Sequence, residues 1–358
     1  MLISNCCNLI TNKIDVSQLT TSNYISTENL LPNFGGITIA TNLPKGKVTK
    51  FEKENILMSN IRPYFKKFYY SSISGGCSSD VLVLNVNKSI AIPKYIYYLL
   101  CSDKFVNMYV ANCKGTKMPR GNKEVLLNYQ FELPSYEVQQ HIVDTIGSID
   151  DLIDNLTNQI SKYKEIMSKE LSKLTSKSTS TIKLSSIVKE SKEKIKNNDV
   201  KLMSVVNTSN LVLQEEYFNK NTASKDMCKY KILKKYYFAY NPARINIGSI
   251  GMHNYDILGA ISPIYIVFTV DNNYIYYLDI FKSSEYMIKN INKKASGSVR
   301  QNLPFEQFAS IEIPNIDLNE LINFNLHCQT FYSQIKSTEN EIQQLINLKN
   351  KYLQKFFA

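Results

Sequence analysis

Tyr95-Ile96-Tyr97-Tyr98-Leu99 recurs letter for letter as Tyr274-Ile275-Tyr276-Tyr277-Leu278. Three further pairs of segments keep the same order around it. Ser59-Asn60-Ile61-Arg62-Pro63 faces Tyr240-Asn241-Pro242-Ala243-Arg244, Gly115-Thr116-Lys117-Met118-Pro119-Arg120 meets Gly297-Ser298-Val299-Arg300, and Phe131-Glu132-Leu133-Pro134 meets Ile311-Glu312-Ile313-Pro314. One pentapeptide match arises by chance; four in one order at nearly one spacing do not. The 358-residue chain therefore reads as a duplication of a unit of about 180 residues. Solenoid repeats, at roughly 20–50 residues, are far shorter. Two units of this size each have enough chain to bury a core.

All four arginines lie in the matched segments, Arg62 with Arg244 and Arg120 with Arg300, at offsets of 182 and 180 residues, in a chain with 38 lysines. Positions that keep arginine in so lysine-rich a chain call for a planar, permanently charged fork rather than any cation.

Outside the copies the apolar spacing changes. From Ile142 it runs through Ile146, Ile149, Ile153, Leu156, Ile160, Tyr163, Met167, Leu171 and Leu174 in steps of four and three. That is a coiled-coil seam. No proline occurs between Pro134 and Pro242, so the spacing predicts an unbroken helix from about Glu137 to Ser176, roughly 60 Å long at 1.5 Å per residue. A rougher seam, Ile335, Ile342, Leu345, Tyr352 and Phe356, follows Pro314. Two such helices most economically pair antiparallel; the alternative is that each stripe packs onto its own globule. The blocks before them read as mixed α/β (α+β). Strands are expected in Asp80 to Val86 and Ile264 to Val270, helices over Lys94 to Met108 and Tyr274 to Asn292, and turns at Gly35-Gly36 and Gly75-Gly76. The expected order is globule 1–136, long helix 137–178, globule 179–316 and long helix 317–358.

The net charge of +11 is unevenly spread: residues 1–136 carry +7, 137–178 carry −2, 179–316 carry +6 and 317–358 carry none. Two basic globules on near-neutral spacers suit a polyanion with two contact sites, because phosphate neutralisation supplies the sequence-independent part of nucleic-acid affinity. Seven cysteines without Cys-x-x-Cys spacing and three scattered histidines argue against a zinc site or a disulfide framework and for a reducing cytoplasm. Neither a signal peptide nor a run of ~18 apolar residues stands out, so no membrane partner is expected.

The loop around Thr116, Lys117, Met118, Arg120, Asn122 and Lys123 gathers three cations, a hydroxyl and flanking glycines. Lysine and hydroxyl suit phosphate oxygens, and arginine suits guanine's paired acceptors. Its counterpart holds Lys293, Lys294, Ser296, Ser298, Arg300 and Gln301. Arg62, with Lys66 and Lys67 beyond it, and Arg244 read equally as base contacts or as buried ion pairs. The tyrosines of the repeated pentapeptide fall at helical spacing and read as core. No Asn-Pro-Pro-aromatic motif, glycine-rich cofactor loop, phosphate loop or cluster of nuclease carboxylates occurs, so neither catalysis nor a cofactor is expected of this chain itself.

Tyr24-Ile25-Ser26-Thr27-Glu28-Asn29-Leu30-Leu31-Pro32, Ser59-Asn60-Ile61-Arg62-Pro63-Tyr64, Gly75-Gly76-Cys77-Ser78-Ser79-Asp80-Val81-Leu82-Val83 and Gly115-Thr116-Lys117-Met118-Pro119-Arg120 resemble specificity subunits of type I restriction-modification systems. The resemblance implies two target recognition domains, each reading half of a bipartite double-stranded DNA site, held apart by an antiparallel coiled coil. It further implies two methyltransferase subunits that supply S-adenosylmethionine chemistry, and nuclease/translocase subunits. The second copy departs from the pattern: it lacks the Thr-Lys-Met-Pro core, and its Ser-Asn-Ile-Arg-Pro counterpart is rearranged. A scaffold or decoy that binds methyltransferase subunits through the helices without reading DNA is the alternative from another class.

Overall fold

The computed structural model describes residues 1–195, 200–206, 209–217, 229–295 and 302–358. The chain divides into two compact units, Met1–Thr157 with Asn340–Ala358, and Asn158–Glu339. Two helices are much longer than the rest, Tyr136–Lys177 and Leu318–Phe357.

In the first unit the strands Ile56–Ser59 and Val81–Val86 pair antiparallel at the centre of a four-stranded sheet, flanked by Cys7–Leu9 and Phe68–Tyr70. Successive strand side chains point to opposite faces, and here both faces are covered. Ile56, Met58, Leu82, Leu84 and Val86 enter one cluster, with Tyr95, Tyr98 and Phe105. Leu57, Val81 and Val83 enter another, with Ile25, Phe51 and Cys77 of a second sheet. This two-sided burial is why the strands read as continuous apolar runs rather than alternating ones. The second sheet has the order Lys13–Asp15, Lys47–Phe51, Gly75–Cys77, Tyr24–Ile25, its last pair parallel. Gly75-Gly76, expected as a turn, is thus a strand. A Cβ at Gly76 would come within 2.5 Å of Leu19 and 2.6 Å of Val48, so neighbouring side chains occupy the space a larger residue needs.

The second unit repeats the first sheet strand for strand as Val188–Ser191, Ile266–Val270, Phe238–Tyr240 and Ile250–Met252, again all antiparallel. Backbone hydrogen bonds recur at one offset of 182: Gly121 N–H donates to Asn60 and Leu303 N–H to Pro242, while Leu126 donates to Asn122 and Phe308 to Pro304. The copies part company in the other sheet. Asn210–Leu213 adds an antiparallel strand to Lys201–Val206 on an edge that the first unit leaves bare.

Each helix expected over Lys94 to Met108 and Tyr274 to Asn292 is broken in two, as Pro93–Cys101 then Asp103–Ala111, and Ile275–Phe281 then Glu285–Lys294. A serine makes both breaks. Ser102 and Ser284 sit in extended backbone, and their hydroxyls accept from the N–H groups of Phe105 (3.3 Å) and Met287 (3.1 Å). Each is therefore an N-cap, which satisfies one of the otherwise orphaned first-turn donors.

Within the first unit, Ile142, Val143 and Ile146 of one long helix and Leu353 and Phe357 of the other share the core with Tyr95 and Tyr98. Lys349 donates to Asp150 at 2.6 Å, and the His141 and Phe356 rings meet edge to face with centroids 6.3 Å apart. Within the second unit, His327 pairs with Glu170 at 2.9 Å and Lys177 with Glu320 at 3.5 Å. Partner numbers rise along one helix as they fall along the other, so within each unit the two helices run antiparallel. Of the residues expected at the seam, Ile142, Ile146, Ile149, Ile160, Met167 and Ile335 are buried, whereas Ile153, Leu156, Ile342, Leu345, Tyr352 and Phe356 are half-buried. The stripe that packs onto its own globule and the stripe that meets the other helix are one surface, at least over Ile142 to Ile146. Among the described residues no helix is long and apolar enough to cross a membrane.

Candidate nucleic-acid interface

The loop that carries Arg120 is closed by its own backbone. Lys114 N–H donates to the Arg120 carbonyl at 2.9 Å, and Arg120 N–H returns the bond to Lys114 at 2.8 Å. Gly115, at φ 93°, turns the chain at the neck, a conformation that favours glycine. Between these ends Thr116, Lys117 and Met118 are exposed, Met118 by 51%.

The segment Asn60 to Arg62 lies against this loop. Ile61 and Arg120 form an antiparallel bridge, Arg62 N–H donates to Pro119 at 2.7 Å, and Gly121 N–H donates to Asn60 at 2.9 Å. Arg62 and Lys66, at φ 49° and 52°, bracket the short 3-10 turn Pro63–Phe65 in left-handed backbone. Such conformations in non-glycine residues persist only where the surroundings over-determine them. Here the Pro119 bond and the turn's own hydrogen bonds do so.

A shallow concavity of about 620 Å³ opens between loop and segment, with Asn60, Lys114, Met118, Arg120 and Lys123 among its lining. Lys114, Lys117 and Lys123 are exposed and carry no ion pair among the described residues. Arg120 pairs with Asp80 at 3.1 Å, their side chains 58% and 32% exposed. A pair this wet contributes about 0–1 kcal/mol, so Asp80 orients the guanidinium without holding it against a stronger acceptor. Asp80 also accepts from Asn60 N–H through its carbonyl, at 2.7 Å. One residue thus ties the loop to its neighbouring segment.

Other residues expected at the site have partners of their own. Asn122 caps the helix Lys123–Leu127, its Oδ1 accepting from Glu124 N–H at 3.0 Å. Lys66 pairs with Asp103 at 3.2 Å. Lys67 donates to the Thr27 carbonyl at 2.7 Å, and burial lowers the pKa of its ammonium. Arg62 joins no ion pair among the described residues; its Nε is buried without a hydrogen-bond partner.

In the second unit Arg244 is exposed and precedes the 3-10 turn Ile245–Ile247. Lys293 and Lys294 fall in the last turn of Glu285–Lys294, where cations complement the helix dipole. Lys293 is exposed, and Lys294 donates to Ser310 Oγ at 2.9 Å. Ser296, Ser298, Arg300 and Gln301 lie outside the described residues. Asn60, Asp80 and Lys114 join the loop without having been singled out from the sequence, because nothing in their spacing marks them; only the backbone bridges bring them together. Among the described residues no group of three or more His, Cys, Asp or Glu side chains is placed to hold a metal.

Residues 3–166 match the family model described as the type I restriction modification DNA specificity domain. No curated protein sequence matches the chain. Among solved structures, the type I restriction-modification system S subunit from M. genitalium is 15% identical, with 100% of this chain and 95% of that one covered and a TM-score of 0.54, a likeness of fold. The HsdS subunit from Thermoanaerobacter tengcongensis is 14% identical over 100% of this chain and 95% of its own, with a TM-score of 0.38.

Proposed function

We propose, on the match of residues 3–166 to the model of the type I restriction modification DNA specificity domain, that the chain is the DNA-reading subunit of such a system. Each unit reads one half of a bipartite double-stranded site. The two long helices, pairing as a coiled coil along the Ile142-to-Met167 and Ile335-to-Phe356 stripes, serve as the spacer and as the docking surface for two methyltransferase subunits. Those partners bind S-adenosylmethionine and methylate adenine, and nuclease/translocase subunits join to cut unmodified DNA. The chain itself catalyses nothing. Its globules read as target recognition domains over 1–136 and 179–316, and its place of work is the cytoplasm.

The observation that carries this reading is the closed loop Lys114 to Arg120, which holds lysines and an arginine in the open beside a shallow concavity. Lysines there meet phosphates whatever the sequence, and Arg120 meets a base edge. In the second unit Arg244, Lys293, Ser296, Ser298, Arg300 and Gln301 take the corresponding roles.

Methylome sequencing of cells with and without the gene tests the proposal. Loss of one split adenine-methylation motif is the expected result. An unchanged methylome in cells expressing the partners would overturn it, and methyltransferase binding without any sequence preference would favour the scaffold instead. At the level of single residues, Arg120→Ala should weaken recognition of one half-site by about 1–3 kcal/mol. Lys117→Ala should weaken all sequences alike and lower the salt slope by about 1. Competition binding at two salt concentrations separates these outcomes.

A further inference from the structure

Among the described residues that line the concavity, Met118 alone carries a large apolar side chain. It is 51% exposed, and the cations beside it, Lys114, Arg120 and Lys123, outnumber the one acid of the lining, Glu124. The backbone on either side of it is pinned. Gly115 turns the loop at φ 93°, the Pro119 carbonyl accepts from Arg62 N–H at 2.7 Å, and Arg120 is bonded twice to Lys114 and bridged to Ile61. The Met118 side chain therefore leaves the closed loop from a fixed point, and among the described residues no apolar cluster of the unit takes it in. A single apolar residue on an open surface needs no ligand. This one stands in a concavity rimmed by cations, where one molecule can offer it an apolar group and the lysines an anion.

We infer that Met118 is a specificity-determining residue that reads the C5-methyl group of thymine. This rests on the DNA-reading role proposed above. Thymine alone among the bases presents a hydrocarbon group at the major-groove edge; the other groups there are hydrogen-bond donors and acceptors. A thioether answers those only weakly, whereas its unbranched, polarizable chain adapts to an irregular apolar contact. Set against a polar base edge, it would displace water without replacing the lost hydrogen bonds, which disfavours the other bases. Lys114 and Lys123 on the rim suit the flanking phosphates, and Arg120 a neighbouring base.

The second copy carries no apolar residue here. At an offset of 180 Ser298 corresponds to Met118, and at 182 Arg300 does; both are polar. The inference therefore predicts an asymmetry: dependence on a thymine methyl group through this position in one half-site only.

The test uses the full chain assembled with its methyltransferase partners and the duplex selected by that complex from a random library. Each thymine of the selected half-sites is replaced in turn by deoxyuridine, which keeps the hydrogen-bonding edge and lacks the methyl group. One replacement should weaken wild-type binding about fourfold, the loss expected when one methyl group is no longer buried. In Met118→Ala the natural duplex should bind about fourfold more weakly or worse, and that same replacement should then have less than about a 1.5-fold effect, since the coupling vanishes with either partner. Equal sensitivity in wild type and variant, or no sensitive thymine at all, would overturn the inference. Should Met118→Ala fail to fold, Met118→Gln, similar in length and polar, decides by the same comparison: loss of the dependence supports the inference and its persistence overturns it. A wild-type complex that selects no sequence would instead overturn the DNA-reading role itself, so the two failures are distinguishable.

Discussion

The two units fasten a long helix to a globule with the same bond turned end for end. In the first, Tyr98 of the globule donates to Asp150 of the long helix at 2.7 Å. In the second, Tyr332 of the long helix donates to Asp279 of the globule. Asp150 and Tyr332 are 182 residues apart, the offset that relates Arg62 to Arg244. Each carboxylate also holds a lysine: Lys349 at 2.6 Å in the first unit, Lys282 at 2.5 Å in the second. A phenol–carboxylate bond has the same energy whichever element supplies which end. What the copies share here is the position of the bond, not its residues.

That comparison breaks most easily at the carboxylates. Asp150→Ala should destabilise the first unit by about 3–5 kcal/mol, because it strands Lys349, whose side chain is 14% exposed, and leaves Tyr98 Oη without its acceptor. Asp279→Ala should cost the second unit as much, since Lys282 is 6% exposed. Amide hydrogen exchange followed unit by unit reads both effects; a loss below about 1 kcal/mol in either would mean that water already reaches its lysine.

A second contrast concerns volume. In the first unit a Cβ on Gly121 would collide with the ring and hydroxyl of the fully buried Tyr109. At the equivalent positions the second unit has Ile291 and Leu303, both buried. Gly121→Ala should therefore cost about 1–3 kcal/mol. The double variant Tyr109→Ile with Gly121→Leu should recover most of that loss in a denaturation midpoint, and failure to recover would show that the two cores solve the space differently.

Removing only the phenol oxygens gives a smaller test of equivalence. Tyr98→Phe and Tyr332→Phe should each cost about 1 kcal/mol and agree closely, since each carboxylate keeps its lysine. Unequal losses would end the claim that the anchors are counterparts.

The smallest expected effect separates the units by pH. His253, in the second unit, is fully buried; its Nδ1 accepts from Tyr255 N–H at 3.2 Å, and its Nε2 lies 2.9 Å from the Ile257 carbonyl. Burial lowers its pKa below the ordinary value. The unfolded chain then binds the proton first, so stability is full above about pH 6.5 and declines as pH falls below it. His253→Phe should flatten that decline in the second unit; an unaltered slope would assign it to other groups.

Much of this was legible before any coordinates. The long helices announce themselves because a step of four and three over ten positions has no other cheap explanation. The duplication shows wherever short identical segments sit at one offset. The breaks at Ser102 and Ser284 stayed hidden because the apolar spacing runs straight through them, while the change lies in one residue's backbone angles. The Tyr98–Asp150 and Tyr332–Asp279 anchors were invisible for a related reason: Tyr98 recurs in the sequence as Tyr277, which donates to the Pro314 carbonyl instead, so the matching letter does not carry the bond. Of the candidate site, the loop was readable from its cations and glycines. The part played by Asp80 was not, since only its ion pair with Arg120 and its backbone bond from Asn60 bring it there.

The most direct test of the central claim is selection from a random duplex library by the full chain with its methyltransferase partners, wild type beside Arg120→Ala. If each unit reads its own half-site, the wild type selects two short motifs at a fixed separation, and Arg120→Ala degrades one while leaving the other intact. Degradation of both halves together, or of neither, would contradict it.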